Sequence, residues 1–236
     1  LIEDGDFNIP NLYCSEKVGD ELESFKDELF TVKIRGKRIQ SSCSNVVAIK
    51  NENAKEKIII CAHIDAYGFS QGASDNASGV AVLRILSELL QNYSGSMEIE
   101  IIVFNGEDHY SVGGQMDYLK RYGESLNKAK LVINIDDFGY KKGRIAYSFY
   151  NCSEKVMQKA QKIFKKTDEL VKGEQWHQGD HMIFVQKDKP CIAFTSECLE
   201  DLMKNITHTK NDTPEILDYS KIVELSKALY ELIQSF

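Results

Sequence analysis

Continuous apolar runs alternate with helix-like segments along most of the chain, and this alternation constrains the fold more than any other feature. The runs at 58–62 and 131–133 are typical of strands that are buried on both faces. Apolar residues at helical spacing predict helices over 16–28, 79–91, 111–122, 153–166 and 219–235. Extended patterns predict strands over 30–36, 45–50, 57–63, 98–104, 129–135, 143–149 and 191–195. This order indicates an α/β three-layer sandwich, in which a mixed, mostly parallel central sheet carries helices on both faces.

The composition excludes several functional classes. With 236 residues and 42% hydrophobic content, the chain can bury one sizeable core. A net charge of -7 gives no electrostatic basis for binding nucleic acid, and no apolar run approaches the ~20 residues of a membrane span. The chain starts without Met or an apolar leader, so we expect a fragment or a processed form. Scattered cysteines, with Cys61 and Cys191 in strand-like runs, predict buried thiols and favour a reducing compartment such as the cytoplasm.

Acidic residues and one His cluster where three of the predicted strands end. They are His63 and Asp65 after 57–63, Glu107 and Asp108 after 98–104, and Asp136 and Asp137 after 129–135. In open α/β sheets, ligands bind at the carboxyl ends of the strands. We therefore expect these side chains to meet in one crevice.

Each of these motifs also has an ordinary structural interpretation. His63 and Asp65 point the same way on a strand, so the carboxylate can hold the second nitrogen of a metal-binding imidazole. The alternative is a buried His beside a surface Asp. Glu107 and Asp108 point in different directions, one toward a metal and one toward substrate, or they form a solvated acidic turn. The acidic pair after 129–135 can equally cap a turn.

Two further motifs lie in predicted loops. The octet GASDNASG precedes a helix, and it either caps that helix through Asp75 or Asn76 or presents Asp75 as a carboxylate that bridges two metal ions. The stretch THTKNDTP offers His208 as a last metal ligand. The alternative is a polar loop with an Asx-turn at Asp212.

The candidate ligands form a set that suits zinc. They are His63, Asp75, Asp108, Asp136 and His208, with Glu107 as a base. Mixed nitrogen and oxygen ligation with an open position for water is typical of catalytic zinc. Two Zn²⁺ ions, three carboxylates and one bridging hydroxide sum to zero charge, whereas the carboxylates alone repel one another. The sequence therefore predicts two Zn²⁺ ions per chain.

The motifs, in this order, resemble those of the di-zinc aminopeptidase family, part of the zinc exopeptidase superfamily that includes bacterial leucyl aminopeptidases, glutamate carboxypeptidase II and glutaminyl cyclase. The resemblance implies a metal-dependent aminopeptidase that hydrolyses the N-terminal peptide bond of peptides with a free N-terminus. It also implies a cis peptide bond after Asp75. The resemblance implies that one zinc is held by His63, Asp75 and Asp136, and the other by Asp75, Asp108 and His208. Glu107 is then the general base on the bridging water. Asp65 orients His63.

The resemblance extends to residues around the site. The segment GDHMIF is similar to the family's S-D-H-x-x-F, with Gly179 in place of Ser, and Asp180, His181 and Tyr67 are candidates for substrate binding. Asp108 stands where the family usually has Glu, so its shorter side chain requires a small backbone shift to reach a metal. A glutaminyl cyclase-like transferase and a non-catalytic receptor-like domain are the alternative functions.

Residues 1–44 are similar to the end of a protease-associated domain, and we expect the zinc peptidase domain over 45–236. Many relatives of this family are exported, so a secreted or cell-surface location is the alternative to the cytoplasm. The sequence gives no indication of an oligomeric state.

Overall fold

The structure is a computed structural model that describes residues 12, 14–35, 37, 40–108 and 112–236. It divides into two compact units, Leu1–Ser42 and Cys43–Phe236, close to the predicted boundary. The assignment of residues 1–44 to a protease-associated domain stays a prediction.

The first unit contains one described helix, α1 (Glu16–Glu23), which buries no residue. The helix predicted over 16–28 is therefore shorter than expected. The strand predicted over 30–36 is wrong across its described residues 30–35, which belong to no strand. Phe30, Val32 and Ile34 alternate along the chain as in a strand, but their side chains are between 50% and 59% exposed. In the described part of this unit they are therefore not buried in a hydrophobic core.

The second unit is built on a seven-stranded sheet with the order β1-β3-β2-β4-β7-β5-β6. Its strands are β1 (Val46–Lys50), β2 (Lys57–His63), β3 (Glu98–Phe104), β4 (Ala129–Ile135), β5 (Ile145–Tyr150), β6 (Leu170–Lys172) and β7 (Cys191–Ser196). The β1–β3 and β5–β7 pairs are antiparallel, and the other neighbours are parallel. The predicted α/β fold with a mixed, mostly parallel sheet is confirmed.

The helices of this unit are α2 (Ser78–Leu89), α3 (Gly113–Tyr122), α4 (Glu154–Phe164), α5 (Met182–Val185), α6 (Leu199–Asn205) and α7 (Tyr219–Gln234). Four of them, α2, α3, α4 and α7, match the predicted helices. Side chains mark two of the starts, because Ser153 caps α4 and Asp218 caps α7. The short elements α5, α6 and β6 were not predicted, since each spans too few residues to display a period.

Strand β2 has a continuous apolar run because both of its faces are buried. Ile58 and Ile60 lie in one core cluster with residues of α2 and α7. Ile59 and Cys61 lie in a second cluster on the opposite face, with residues of α3 and α5. Each fully buried Ile contributes about 1.5–3 kcal/mol to folding, so both faces of the central strand stabilise the domain. The predicted burial of Cys61 and Cys191 is confirmed, and the cysteines are free thiols.

The register of the central strands positions the site. β2 lies between β3 and β4 and runs parallel to both, with Ala62 opposite Val103 and Cys61 opposite Asn134. Their carboxyl ends therefore share one edge of the sheet, where the acidic motifs follow. Among the described residues, no helix is both long enough and apolar enough to cross a membrane.

Candidate metal centre

Three side chains converge at the end of β2. His63 is the last residue of that strand and is 1% exposed. Its Nε2 lies 3.0 Å from Oδ1 of Asp75 and 3.2 Å from Oδ1 of Asp136. One ligand atom from each residue lies within 4.8 Å of the others, which is compact enough for a single cation to contact all three.

A second group forms on the other side of Asp75. Nε2 of His208 lies 2.8 Å from Oδ1 of Asp108 and 3.1 Å from Oδ2 of Asp75. These three residues also offer ligand atoms within 4.8 Å of one another. Asp75 therefore presents one carboxylate oxygen to each of the two His-containing groups.

The turn before α2 aims the Asp75 carboxylate. Asp212, which is 0% exposed, accepts hydrogen bonds from the backbone N–H of Ser74 at 2.7 Å and of Asp75 at 3.2 Å. Asn76 Oδ1 accepts from the N–H of Gly79 in the first turn of α2. The side-chain contact to the start of this helix therefore comes from Asn76 and not from Asp75, and presentation of a metal by Asp75 stays a prediction. The peptide bond between Asp75 and Asn76 is cis, as the family resemblance implied.

Glu107 lies beside the first group and also forms a third group with His63 and Asp108, whose ligand atoms lie within 4.8 Å of one another. Its Oε2 lies 3.9 Å from Nε2 of His63. Burial raises the pKa of Glu107 well above its usual range, and the charges of Asp136, Asp180 and Asp108 add to this despite the opposing effect of His63. A carboxylate with a raised pKa is a suitable proton acceptor near neutral pH.

The carboxylate of Asp65 holds the turn that carries Glu107. Its Oδ1 accepts from the backbone N–H of Gly106 at 2.8 Å and of Glu107 at 3.2 Å, and its Oδ2 accepts from Asp108 at 2.9 Å. Nδ1 of His63 lies 3.0 Å from the backbone carbonyl oxygen of Asp65 and 3.8 Å from the Asp65 carboxylate. The hydrogen-bond distance is therefore to the main chain of Asp65, and the role of Asp65 in orienting His63 stays a prediction.

The clustered carboxylates of the centre favour a bound cation. Hydrogen bonds with Asp108 and Asp75 raise the pKa of His208 to about 11. Burial alone lowers the pKa of His63, but the carboxylates of Asp136 and Asp75 outweigh it and raise that pKa well above its usual range. Oδ2 of Asp108 is buried and has no hydrogen-bond partner. Two imidazoles, clustered carboxylates and an unpaired oxygen match the donor set that zinc prefers.

The residues predicted to bind substrate lie in different positions. The ring of Tyr67 stacks on His208 with a centroid distance of 4.9 Å. Asp180 is 1% exposed, accepts a hydrogen bond from Gln115 at 2.7 Å, and has its pKa raised to about 7 by burial. His181 is 0% exposed and lies 3.0 Å from the carbonyl of Trp176. Asp180 and His181 therefore present no surface to a substrate in this conformation, and direct contact stays a prediction.

Three residues make contacts around the centre that the sequence did not predict. Gly179, which the family resemblance marks as a departure from Ser, has φ +94°, and a Cβ placed there would lie 2.8 Å from Oδ2 of Asp136, which explains the departure. Asp137, named in the sequence only as one of an acidic pair, contacts the His208 loop, and Gln115 contacts Asp180. No periodicity or spacing indicates these contacts.

Comparisons with known proteins match this geometry. A model of peptidase family M28 matches residues 45–233. The chain is 29% identical over 135 residues to aminopeptidase YwaD of Bacillus subtilis (strain 168), which covers 56% of this chain and 29% of that protein.

Solved structures share the fold. A zinc aminopeptidase from Bacillus subtilis, BSAP, aligns with a TM-score of 0.70 and 21% identity over 81% of this chain and 49% of that one. The glutaminyl cyclase of Porphyromonas gingivalis aligns with a TM-score of 0.68 and 21% identity over 81% of this chain and 76% of that one. The chain thus spans less than a third of YwaD and about half of BSAP. Since both His-carboxylate groups lie inside the segment that the family model matches, and that segment is most of the chain, the chain belongs to peptidase family M28.

Proposed function

We propose that this chain is the catalytic part of a zinc-dependent aminopeptidase that uses two Zn²⁺ ions per chain. The observation that carries the proposal is the position of Asp75. Its Oδ1 lies 3.0 Å from Nε2 of His63, and its Oδ2 lies 3.1 Å from Nε2 of His208. A structural carboxylate does not need this arrangement, whereas a carboxylate shared by two cations does. The printed descriptions of YwaD as an aminopeptidase and of BSAP as a zinc aminopeptidase support the same reaction class.

The proposed ligand sets follow from the two groups. His63, Asp75 and Asp136 would hold one ion, and Asp75, Asp108 and His208 would hold the other. When bound, Zn²⁺ supplies a Lewis acid that polarises a scissile carbonyl and lowers the pKa of water.

Glu107 is the proposed general base. Its carboxylate lies at the edge of the first group, and the side chain is 18% exposed, so a water molecule can reach it. In the proposed reaction, Glu107 accepts the proton of the attacking water and then donates it to the leaving amine. Backbone hydrogen bonds to Asp65 fix the turn that presents this carboxylate.

Peptides with a free N-terminus are the proposed substrates, in line with the printed descriptions of YwaD and BSAP as aminopeptidases. Two Zn²⁺ ions and a bridging hydroxide would neutralise the three ligand carboxylates, so attraction for a cationic ammonium group would come from acidic side chains beyond that set, such as Glu107, which is 18% exposed.

A glutaminyl cyclase-like activity is the second candidate, because the Porphyromonas gingivalis glutaminyl cyclase aligns over 76% of its own length. The presence of a His in each of the two groups favours the aminopeptidase, since two complete ligand sets are available. A receptor-like domain without catalysis is a further outcome of the test.

The test combines metal content with two activity assays. Zinc-loaded protein, after removal of excess metal, is expected to contain two Zn²⁺ ions per chain and to hydrolyse aminoacyl-p-nitroanilides. Cyclisation of an N-terminal glutaminyl peptide without nitroanilide hydrolysis would support the transferase instead. Two bound ions with neither activity would support the non-catalytic alternative.

Glu107→Gln tests the role of the base. The amide cannot accept the proton, so we expect kcat to fall by about 10²–10⁴-fold while both ions stay bound. Glu200→Gln, the same change at an exposed residue of α6, is the matched control and should leave kcat unchanged. Unchanged turnover in metal-replete Glu107→Gln would remove Glu107 from this role.

A further inference from the structure

Asp137 follows a proposed ligand, yet it belongs to neither metal group. Its backbone has φ +47°, and the residue is 9% exposed. Its carbonyl accepts hydrogen bonds from the backbone N–H of Ser196 at 3.1 Å and from the Ser196 hydroxyl at 2.9 Å. The main chain of Asp137 is thereby fixed to the end of β7.

The side chain of Asp137 faces the two loops that carry other ligands. The hydroxyl of Thr207 lies 3.0 Å from each of its carboxylate oxygens. The hydroxyl of Ser74 lies 3.4 Å from its Oδ1. Thr207 directly precedes His208, and Ser74 directly precedes Asp75. One carboxylate therefore connects the three segments that carry Asp136, Asp75 and His208.

His208 is the ligand that most needs such support. Its side chain is 36% exposed, compared with 1% for His63 and 15% for Asp136. It lies in a loop with φ +60° rather than at the end of a strand. The adjacent Thr207 is anchored on both sides, through its N–H to the carbonyl of Leu202 at 2.9 Å and through its hydroxyl to Asp137.

We propose that Asp137 is a positioning residue that locks Thr207 and so holds His208 in register with the Asp75 and Asp108 carboxylates. Asp137 itself touches no proposed ligand atom and acts through the Thr207 hydroxyl. Groups that orient metal ligands from outside typically change metal affinity by about 10–100-fold when they are removed. The inference rests on the proposed two-zinc function. It assigns Asp137 a role only in the metal site that contains His208.

Thr207→Val tests the contact with little change of shape, because it replaces the hydroxyl by a methyl group. Protein stripped with EDTA is titrated with Zn²⁺ in a calorimeter, and the two stepwise affinities are fitted. We expect one affinity to fall by at least about 10-fold and the other to stay within about 2-fold of the wild type. At saturating Zn²⁺, kcat should recover. Thr207→Ser retains the hydroxyl and should restore the wild-type affinities.

The control is Thr209→Val in the same loop. Thr209 donates to the carbonyl of Ile206 at 2.7 Å and does not contact Asp137, so its loss perturbs the loop without breaking the proposed lock. Should Thr207→Val fail to fold, Thr207→Ala removes the same hydroxyl with less volume. Thermal unfolding in EDTA checks that each variant is folded.

Two results would overturn the inference. The first is that both Zn²⁺ affinities of Thr207→Val equal those of the wild type. The second is that Thr209→Val loses as much Zn²⁺ affinity as Thr207→Val does. A wild-type protein that binds fewer than two Zn²⁺ ions would instead contradict the proposed function itself, so the two failures are distinguishable.

Discussion

Asp65→Asn tests whether a carboxylate holds the turn that presents the general base. In the structure, Oδ1 of Asp65 accepts from Gly106 and Glu107, and Oδ2 accepts from Asp108. The amide of Asn retains one oxygen, which can serve the first two N–H groups. The Asn side chain would turn its NH₂ group toward the N–H of Asp108, so two donors would face each other and that hydrogen bond would be lost.

The magnitude follows from these three hydrogen bonds. An unsatisfied buried N–H costs about 1–3 kcal/mol, and loss of the charge weakens each of the two remaining bonds by about 1 kcal/mol or somewhat more. The free energy of unfolding should therefore fall by roughly 3–6 kcal/mol, a large share of the ~5–15 kcal/mol of a typical domain. Because Glu107 lies on the same turn, kcat should fall as well.

Urea unfolding in the presence of EDTA is the appropriate assay, since bound metal would otherwise contribute to stability. Asp117→Asn is the matched control, because that side chain is 49% exposed and pairs with Arg121 one turn away on α3, so we expect a change below about 0.5 kcal/mol. A loss in Asp65→Asn below about 1 kcal/mol would refute the reasoning. Reduced zinc affinity with unchanged unfolding would instead indicate that the carboxylate acts on His63, 3.8 Å away.

Three further predictions test neighbouring parts of the domain. Gly179→Ala should weaken binding of one Zn²⁺ by at least about 10-fold in calorimetric titration, because the new Cβ would lie 2.8 Å from Oδ2 of Asp136; unchanged affinity would show that the loop relaxes. Asp108→Glu should also weaken one site about 10-fold, although the family resemblance implies Glu at this position, because Oδ1 already reaches its His partner at 2.8 Å and the added methylene overfills a buried position. Tighter binding would favour the expectation from the family. Lys221→Met should lower the free energy of unfolding by about 2–4 kcal/mol in urea, since the buried ammonium donates to three backbone carbonyls of one turn; a loss below 1 kcal/mol would contradict this.

The fold was predictable because its strongest signals are local. A strand that is apolar at every position, such as β2, must be covered on both sides, and the helical spacing in α7 supplies one of those covers. The strand predicted over 30–36 carries an equally regular pattern, but a pattern stabilises a strand only where a neighbour pairs with it. Among the described residues 30–35 no such neighbour exists, and the sequence holds no information on that pairing.

The site was predictable in part, for a geometrical reason. Parallel strands end at the same edge, so residues that directly follow β2, β3 and β4 must approach one another whatever the connecting helices do. His208 lies after no such strand, so the residues of its loop left a metal ligand and an ordinary polar loop as alternatives, and the family resemblance favoured the ligand. Asp108 bonds through its backbone N–H to Asp65, and its side chain reaches His208; the expected backbone shift toward a metal stays a prediction.

The contacts of the supporting residues could not be predicted, because their partners are distant and often belong to the backbone. Asp65 binds three N–H groups that lie 41 to 43 residues further along the chain, and Asp137 binds a hydroxyl 70 residues away. A backbone N–H has no sequence signature, so no motif distinguishes a carboxylate that serves it from one that faces solvent. A chain could therefore retain every proposed ligand, Glu107 and Asp65, lose Asp137, and still match the motifs of an active relative. Under the proposed role of Asp137, such a chain would bind Zn²⁺ more weakly at the site that contains His208, although its motifs are intact.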